Sequence, residues 1–284
     1  MRKLSSASVI KEILSENSFR FSKSLGQNFL IDENVLDTII SGAQIDKDSC
    51  VLEVGPGFGT LTQKLCMNAK KVVSVEIDET VIPILKDNLK EFDNLTIISN
   101  DILKTDIAAL AEKEFEGSKI KVCANLPYYI TTPVITALLE PSLPITDITV
   151  MVQKEVAERL AAKPGSKAYG AISVTVGYYA EPELLVSVPP CAFIPQPKVS
   201  SAVIRLRKRE KPPVEVKSEE IYFKVIKAAF AQRRKTLLNS IANSNVLSLT
   251  KAEAEELLVS AGIDPKRRGE TLSMEEFAKI TNAL

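Results

Sequence analysis

CVLEVGPGFGT, residues 50–60, is the stretch of sequence that decides the fold. Its first five residues are typical of a short buried strand, which runs directly into Gly55, Gly57 and Gly59. A helical pattern follows from Leu61. Glycines between a strand and a helix let a ligand approach the backbone closely, as in nucleotide-binding α/β folds. The stretch therefore predicts the first strand–loop–helix unit of such a fold.

Alternating strand and helix patterns extend outward from this unit. Further apolar strands are expected at residues 72–75, 95–98, 120–124 and 148–152. Strands that alternate with helical patterns in this way imply a parallel, doubly wound sheet. The fold class is therefore predicted to be α/β, with a Rossmann-like sheet.

The pattern changes in the last third of the chain. Three apolar segments without intervening helices are expected to be antiparallel edge strands, at residues 171–179, 183–188 and 201–207. Pro212 and Pro213 then interrupt the chain, and the remainder is helical, with capping-box spacing at Thr250 and Ser273. We therefore expect a small all-α C-terminal domain. The predicted domains are a helical arm (1–21), a sheet domain (22–209) and a helical domain (210–284).

Composition narrows the possible functions. With 284 residues, 45% hydrophobic and 25% charged, the chain is typical of an ordinary globular protein. Charged residues interrupt the apolar residues near the N-terminus, so we expect neither a signal peptide nor a membrane span. Four cysteines lie far apart without a C-x-x-C pair, which favours a reducing cytoplasm over disulfide or metal sites. The absence of histidine excludes Ser-His-Asp and Cys-His catalysis and histidine metal sites.

Acidic side chains end two of the predicted strands. Glu76 lies 21 residues after Gly55, where a carboxylate holds ribose hydroxyls in nucleotide-binding folds, and Asp101 closes the next strand. Such strand ends meet at one edge of an open sheet, where ligands bind. The alternative is that these are solvated strand-end acids; their combination with the glycine loop favours a ligand site. The third glycine arrives one residue too early for the pyrophosphate-binding spacing, which disfavours a nicotinamide dehydrogenase.

An unusual segment, Asn125-Leu126-Pro127-Tyr128, follows the strand at 120–124. Asn125 can donate and accept hydrogen bonds, Pro127 fixes φ and brings no N–H, and Tyr128 offers a flat face for stacking. Together they suit a planar group with an exocyclic amine, such as adenine or cytosine. On these four residues alone, an asparagine turn, a proline stop and a core tyrosine is the slightly favoured interpretation. The rest of the chain reverses that preference.

Taken in chain order, these motifs resemble those of a known family. The resemblance rests on residues 26–30, 53–59, 76–78, 100–101, 125–128 and 193–201. The chain resembles the ribosomal RNA adenine N6-methyltransferases, which are class I S-adenosylmethionine-dependent methyltransferases, and most closely their small-subunit (16S) dimethyladenosine transferase branch. Ala171 stands where the family's pattern has an arginine, which affects a minor RNA contact.

The resemblance implies a set of site residues and no metal. The residues implied for S-adenosylmethionine are Asn28, Leu30, Gly55, Gly57, Glu76, Ile77, Asp101, Ile102 and Asn125. Among them, Glu76 would hold the ribose and Asp101 the adenine. The residues implied for the target base are Asn125, Leu126, Pro127, Tyr128 and Phe193. Tyr128 and Phe193 would stack on that base, although without the family Phe193 is equally well explained as a core residue.

The net charge of zero hides a basic region. Residues 198–241 carry 12 basic and four acidic side chains, a net charge of +8, which leaves −8 for the rest of the chain. Such a run is usually a solvated helix face, but its position beside the Phe193 segment favours a contact with an RNA backbone. The expected RNA-binding residues are Arg205, Arg207, Lys208, Arg233, Arg234 and Lys235.

Three functions remain open. The favoured one, implied by the resemblance, is N6-dimethylation of two adjacent adenosines in a 3′-terminal hairpin of 16S ribosomal RNA, by a cytoplasmic monomer that acts on a small-subunit precursor. The second is the same chemistry on 23S ribosomal RNA, as in the erythromycin-resistance methylases; the helical tail and residues 128–133 favour the first. The third is a non-catalytic RNA-binding assembly or transcription factor, against which intact Glu76, Asp101 and Asn125 argue.

Overall fold

The computed structural model describes residues 2–17, 19 and 26–284, which form two compact units. The sheet unit contains the described residues up to Ala157 together with Glu181–Lys208. The helical unit contains Glu158–Ala180 and Arg209–Leu284. The predicted α/β class is confirmed. The predicted domain boundary between residues 21 and 22 lies outside the described residues.

A seven-stranded sheet is the framework of the sheet unit. The strands in the described residues are β1 (Phe29–Leu30), β2 (Cys50–Val54), β3 (Lys71–Glu76), β4 (Leu95–Ser99), β5 (Ile120–Asn125), β6 (Ile145–Gln153), β7 (Ala180–Val188), β8 (Phe193–Ile194) and β9 (Ser201–Lys208). The sheet order is β4-β3-β2-β5-β6-β9-β7, and β1 pairs with β8 in a separate ribbon. Five neighbouring strands of the sheet, β4, β3, β2, β5 and β6, run parallel to one another, whereas β9 is antiparallel to β6. The predicted doubly wound sheet is therefore present, with β9 and β7 at one edge.

Helices connect the strands and build the second unit. Those that begin in the sheet unit are α1 (Ala7–Glu16), α2 (Glu33–Gly42), α3 (Thr60–Asn68), α4 (Ile82–Asn88), α5 (Ile107–Phe115), α6 (Thr131–Leu138) and α7 (Lys154–Leu160). The helical unit contains α8 (Ala171–Tyr179), α9 (Glu219–Phe230), α10 (Leu237–Ala242), α11 (Lys251–Ser260) and α12 (Met274–Ala283). Within the described residues, these helices are too short or too polar to cross a bilayer.

Burial of the central strands fixes where the sheet opens. All five residues of β2 are buried, and Val51 packs in one cluster with Leu36 and Ile39 of α2 and Leu65 of α3. Parallel strands of this kind need helices on their faces because both faces are apolar. Because neighbouring strands here run parallel, the carboxyl ends of β2, β3, β4 and β5 meet at one edge.

The N-terminal helix belongs to the core of the sheet unit, although the sequence suggested a separate arm. Leu4, Ile10 and Ile13 are fully buried in a cluster that includes Phe29 and Phe58. Phe58 is part of the glycine loop after β2. The segment containing α1 therefore helps to support that loop.

Residues 171–179 form helix α8, so the predicted edge strand is wrong. Valine, threonine and tyrosine gave this segment a strand-like composition. Val174 and Tyr178 lie one helical turn apart, and both are buried in the core of the helical unit with Tyr222 and Phe277. Tertiary packing overrides the local preference here. The same packing puts Glu158–Ala180 in the helical unit, although the sequence suggested the sheet domain.

Capping interactions delimit the C-terminal helices as predicted. Thr250 and Glu253 form a reciprocal capping box at the start of α11, and Ser273 and Glu276 form another at α12. Gly262 follows α11 with φ of +71°, a conformation that glycine adopts at helix ends. These local signals needed no tertiary information.

A buried ion pair joins β9 to β6. Arg205 is 4% exposed and Asp147 is 8% exposed. Nε and Nη2 of Arg205 donate to Oδ1 of Asp147 at 2.8 and 2.6 Å, and Nη2 also donates to Gln44 Oε1 at 3.1 Å. The prediction that Arg205 contacts RNA is therefore corrected, because its guanidinium is buried in the sheet unit and bonded to Asp147 and Gln44.

Arg205→Ala is expected to lower the free energy of unfolding by about 3 kcal/mol or more, because it leaves the carboxylate of Asp147 buried and uncompensated. Urea unfolding followed by circular dichroism measures the change. Arg207→Ala removes an exposed arginine from the same strand and should change stability by less than about 0.5 kcal/mol. Equal stabilities of the two variants would contradict the structural function of Arg205.

Candidate active site

A cavity of about 230 Å³ lies at the carboxyl edge of the sheet, among the loops that follow β2, β3, β4 and β5. It brings together every residue that the sequence predicted for the cofactor: Asn28, Leu30, Gly55, Gly57, Glu76, Ile77, Asp101, Ile102 and Asn125. Leu126, Pro127 and Tyr128 also line it. One cavity therefore contains both the predicted cofactor residues and most of the predicted base-binding residues.

The three glycines of the loop after β2 are required for different structural reasons. All three have positive φ. A Cβ at Gly57 would lie 2.7 Å from the ring of Phe29, and one at Gly59 would lie 2.8 Å from Leu89, so both positions are closed by packing. A Cβ at Gly55 would meet nothing within 4 Å. Gly55 is therefore the position at which the backbone is open to a ligand.

Glu76, the last residue of β3, is held by two backbone N–H groups. Its Oε2 accepts from Gly57 at 3.1 Å, and its Oε1 accepts from Asp78 at 2.9 Å. Burial raises the pKa of this carboxyl, and the two backbone donors oppose the shift. Each carboxylate oxygen retains a further acceptor position, which suits a pair of hydroxyl donors.

Asp101 is the second residue of the loop after β4. Its Oδ1 accepts from the backbone N–H of Leu103 at 3.0 Å, and its own N–H donates to Asn100 Oδ1 at 2.9 Å. These local bonds fix the backbone of the loop and leave Oδ2 with a long contact of 3.9 Å to the ammonium of Lys104. A carboxylate held in this way can accept from an amine in the cavity.

Asn125 ends β5, and a hydrogen bond determines the orientation of its amide. Nδ2 donates to the backbone carbonyl of Asn28 at 2.8 Å. The backbone N–H of the next residue, Leu126, donates to the carbonyl of Met151 at 3.0 Å. Because Nδ2 is engaged, Oδ1 is the atom of this amide that is left to accept a hydrogen bond from a ligand.

Two tyrosines follow in the cavity wall. Tyr128 is half-buried, and its hydroxyl lies 2.7 Å from Oγ of Ser201. Tyr129, to which the sequence analysis assigned no function, also lines the cavity and is 54% exposed. Burial, together with the charges of Asp101 and Glu76, raises the pKa of Tyr129. The repeated aromatic at 128–129 was the available sequence signal.

The structure does not bring Phe193 into the cavity. Its ring is 1% exposed and packs in a core cluster with Leu30, Met151 and Val203. It is held there because β8 pairs with β1, with Phe193 opposite Leu30. The expectation of a second stacking ring at residue 193 is corrected accordingly, and the core interpretation, which the sequence left open, describes this residue.

Lys208 is a further correction to the predicted RNA contacts. Its Nζ donates to the carbonyl of Leu143 at 3.0 Å and to that of Glu140. Burial lowers the pKa of this ammonium. Lys208 therefore closes the turn after α6, whereas Arg207, Arg233, Arg234 and Lys235 are exposed.

Comparisons with known proteins agree with this geometry. The family model for ribosomal RNA adenine dimethylases matches residues 18–284. The chain belongs to the ribosomal RNA adenine dimethylase family. The ribosomal RNA small subunit methyltransferase A of Clostridioides difficile (strain 630) is 52% identical over 284 residues, which are 100% of this chain and 98% of that protein.

Two solved structures resemble this dimethylase over most of its length. A dimethyladenosine transferase from Plasmodium falciparum has a TM-score of 0.72 and 26% identity, covering 89% of this chain and 95% of its own. The 23S rRNA methyltransferase ErmE has a TM-score of 0.70 and 26% identity, and the match covers 90% of this chain and 99% of the ErmE chain. The family and fold inferred from the motifs are confirmed.

The dimethylase is an S-adenosylmethionine-dependent enzyme, and the cavity suits that cofactor. Gly55 presents open backbone, and Glu76 offers acceptors for ribose hydroxyls. Thr60, the first residue of α3, also lines this cavity.

Glu53, in the middle of β2, is a second buried carboxyl in the cavity wall. It is 1% exposed, and its Oε2 accepts from the hydroxyl of Ser74 at 2.7 Å. Burial raises its pKa to about 7, against the usual 4.5. The folded dimethylase therefore binds this proton more tightly than the unfolded chain does.

This shift predicts that the contribution of Glu53 to the free energy of unfolding falls as the pH rises from about 4.5 to about 7, by an amount on the order of 3 kcal/mol. Glu53→Gln retains an acceptor for Ser74 and removes the ionisation. Its stability relative to wild type should therefore increase across that pH range, as measured by urea unfolding at several pH values. Glu76, whose pKa is also raised by burial, is present in both proteins and cancels in the comparison. A constant difference between the two proteins would contradict the assignment.

Proposed function

We propose that this enzyme dimethylates N6 of two adjacent adenosines in a 3′-terminal hairpin of 16S ribosomal RNA. The geometry of Asn125 carries the proposal, because its amide is oriented to accept from an exocyclic amine beside the cofactor residues. The choice of small-subunit RNA is supported by the name of the relative that is 52% identical. We also propose a cytoplasmic monomer that acts on a subunit precursor; four unpaired cysteines fit a reducing compartment.

The residues of the cofactor half of the cavity would orient S-adenosylmethionine and take no part in the bond changes. S-Adenosylmethionine supplies the electrophilic methyl group on its sulfonium. Glu76 would accept from the ribose hydroxyls and Asp101 from the adenine amine, while Gly55 allows close approach of the backbone. Holding the donor and the target in one geometry is the main contribution that a protein makes to a displacement of this kind.

The target half raises the nucleophilicity of N6. The lone pair of this nitrogen is delocalised into the adenine ring. Oδ1 of Asn125 and the carbonyl of Leu126 would each accept a hydrogen bond from one of the two N6 hydrogens. These two hydrogen bonds favour a tetrahedral nitrogen, whose lone pair is localised. Tyr128 would stack on the base, and the surplus proton of the product leaves to water. Histidine is not required for any of these steps.

Access of the base to the cavity has a free-energy cost. Turning a base out of its stack costs a few kcal/mol, and stacking on one aromatic ring returns about 1–3 kcal/mol. With Phe193 in the core, Tyr128 supplies one such ring. Contacts between the protein and the RNA outside the cavity therefore have to supply the remainder.

Arg233, Arg234 and Lys235 are the proposed source of those contacts. They are exposed between α9 and α10. Nε of Arg233 donates to Glu270 at 3.2 Å, and its guanidinium also bonds the carbonyl of Lys167. Arg233 therefore also stabilises the helical unit, and Arg234 and Lys235 would contribute most to phosphate binding.

The alternative target, 23S ribosomal RNA, is favoured by one observation. ErmE, whose name specifies 23S rRNA, is almost as similar in structure as the dimethyladenosine transferase. Both targets would use the same cavity, so the identity of the methylated nucleotides distinguishes the two.

In the test, unmethylated small and large ribosomal subunits are incubated separately with S-adenosylmethionine that carries a labelled methyl group, and the labelled nucleotides are mapped. Wild-type enzyme should label two adjacent adenosines of the small-subunit RNA. Asn125→Ala should lower the rate at least about 100-fold, because the N6 acceptor is lost. Affinity for the cofactor should fall far less, because the cofactor half loses only the bond from Nδ2 to the carbonyl of Asn28.

The outcomes separate the two parts of the proposal. Labelling of the large subunit instead would overturn the choice of target. Full activity of Asn125→Ala on either subunit would remove the catalytic function assigned to that amide. Calorimetric titration with S-adenosylhomocysteine is the control, because it shows whether the variant retains an intact cofactor half.

Replacing Arg233, Arg234 and Lys235 together with alanine should weaken binding to small-subunit RNA. The plot of log K against log salt should become less steep by about 2, because about two phosphate contacts are lost. Filter binding over a salt series measures both quantities.

Three other exposed lysines of the helical unit provide a control with the same change of charge: Lys251, Lys266 and Lys279. Their replacement with alanine should leave the slope as it is in wild type. Identical slopes for the two triple variants would refute the proposed RNA contact.

A further inference from the structure

The 193–201 segment has no assigned function once Phe193 is placed in the core. Its last residue, Ser201, is the first residue of β9 and is fully buried. Oγ of Ser201 lies 2.7 Å from the hydroxyl of Tyr128, a distance typical of a good hydrogen bond between hydroxyl groups. This contact joins the segment to the proposed base-stacking ring.

The sheet holds Ser201 in place. Its backbone is paired with Gln153 of β6, and two residues farther along the same pair of strands Val203 lies opposite Met151. Met151 in turn lies opposite Asn125, the last residue of β5. The hydroxyl of Ser201 and the amide of Asn125 are therefore held by β9 and β5, the two strands that flank β6 in the sheet.

Tyr128 needs such an anchor because its position in the chain does not fix its ring. It follows Pro127 in a loop, and its side chain is only half-buried. A tyrosine ring turns about two side-chain torsions, and a hydrogen bond at its tip restricts both. A tyrosine phenol of ordinary pKa keeps its proton at neutral pH, and burial raises the pKa of Tyr128 further, although the hydrogen bond with Ser201 opposes the shift. Either hydroxyl can be the donor in this bond.

We propose that Ser201 is a positioning residue, whose buried hydroxyl holds the phenol of Tyr128 so that the ring is preset to stack on the target adenine. The inference deepens the proposed function and rests on it. The 193–201 segment would then have a second function besides its contribution to the core, which is to hold the ring of Tyr128 through the hydroxyl of Ser201.

A positioning function through Tyr128 has a specific signature. The hydroxyl of Ser201 can act on the base only through the hydroxyl of Tyr128, so removing either one removes the same interaction. Ser201→Ala, Tyr128→Phe and the double variant should then have nearly equal activities. Affinity for the cofactor should be unchanged in all three, because neither hydroxyl is assigned to that half of the cavity.

The experiment measures kcat and KM for methylation of unmethylated small ribosomal subunits with labelled S-adenosylmethionine. Ser201→Ala and Tyr128→Phe should each lower kcat/KM about three- to tenfold, the range expected for loss of one hydrogen bond. The double variant should be no slower than Tyr128→Phe alone. Affinity for S-adenosylhomocysteine and the melting temperature are measured in parallel.

Thr149→Val is the matched control. It removes another buried hydroxyl, from β6, and Oγ1 of Thr149 has no hydrogen-bond partner among the described residues. Its kcat/KM should equal that of wild type. A decrease like that of Ser201→Ala would show that loss of any buried hydroxyl in this part of the sheet lowers activity, and would overturn the specific function of Ser201.

Other results would also overturn the inference. These are wild-type activity in Ser201→Ala, losses that multiply in the double variant, and a loss in Tyr128→Phe far larger than that in Ser201→Ala. If Ser201→Ala does not fold, Tyr128→Phe decides, because undiminished kcat/KM there would show that the contact is unimportant. Failure of the wild-type enzyme to methylate small subunits would instead contradict the proposed function.

Discussion

The hydrogen bond from Nδ2 of Asn125 to the carbonyl of Asn28 joins the two halves of the cavity. Asn28 belongs to the loop that lines the cofactor side, and Asn125 ends a central strand of the sheet. The bond determines which atom of the amide is available to a ligand. Without it, the amide could turn and present donors, which would repel the hydrogens of an amine. The orientation proposed for catalysis is therefore set by the loop that carries Asn28, which is also proposed to contact the cofactor.

That loop is supported on both sides by packing. Phe29 stacks on Phe58 of the glycine loop with ring centres 4.1 Å apart, and Leu30 pairs with Phe193. The 193–201 segment thus touches the cofactor loop through β8 and the stacking tyrosine through Ser201. Since a preorganised site needs rigid supports for each reacting group, this arrangement explains why aromatic and proline residues occur so far along the chain from the glycine loop.

The sequence was sufficient for residues whose position follows from strand periodicity. Gly55, Glu76, Asp101 and Asn125 each lie at or just after the carboxyl end of a strand, and the ends of parallel strands meet at one edge whatever the details of packing. It was insufficient where function depends on tertiary partners. Arg205 and Lys208 looked like RNA contacts because composition cannot show that Asp147 or the carbonyl of Leu143 lies beside them. The helix at Ala171–Tyr179 was missed because its β-branched residues pack against other helices.

The central claim is that one cavity holds the methyl donor and an everted adenine face to face across Asn125. A crystal structure of the enzyme with S-adenosylhomocysteine and an adenosine-containing RNA fragment tests it most directly. In that structure, N6 of the adenine should lie about 3 Å from Oδ1 of Asn125, on the side that faces the sulfur, with the ring of Tyr128 stacked on the base. A sulfur atom far from Asn125, or a Tyr128 ring turned into the interior, would contradict it.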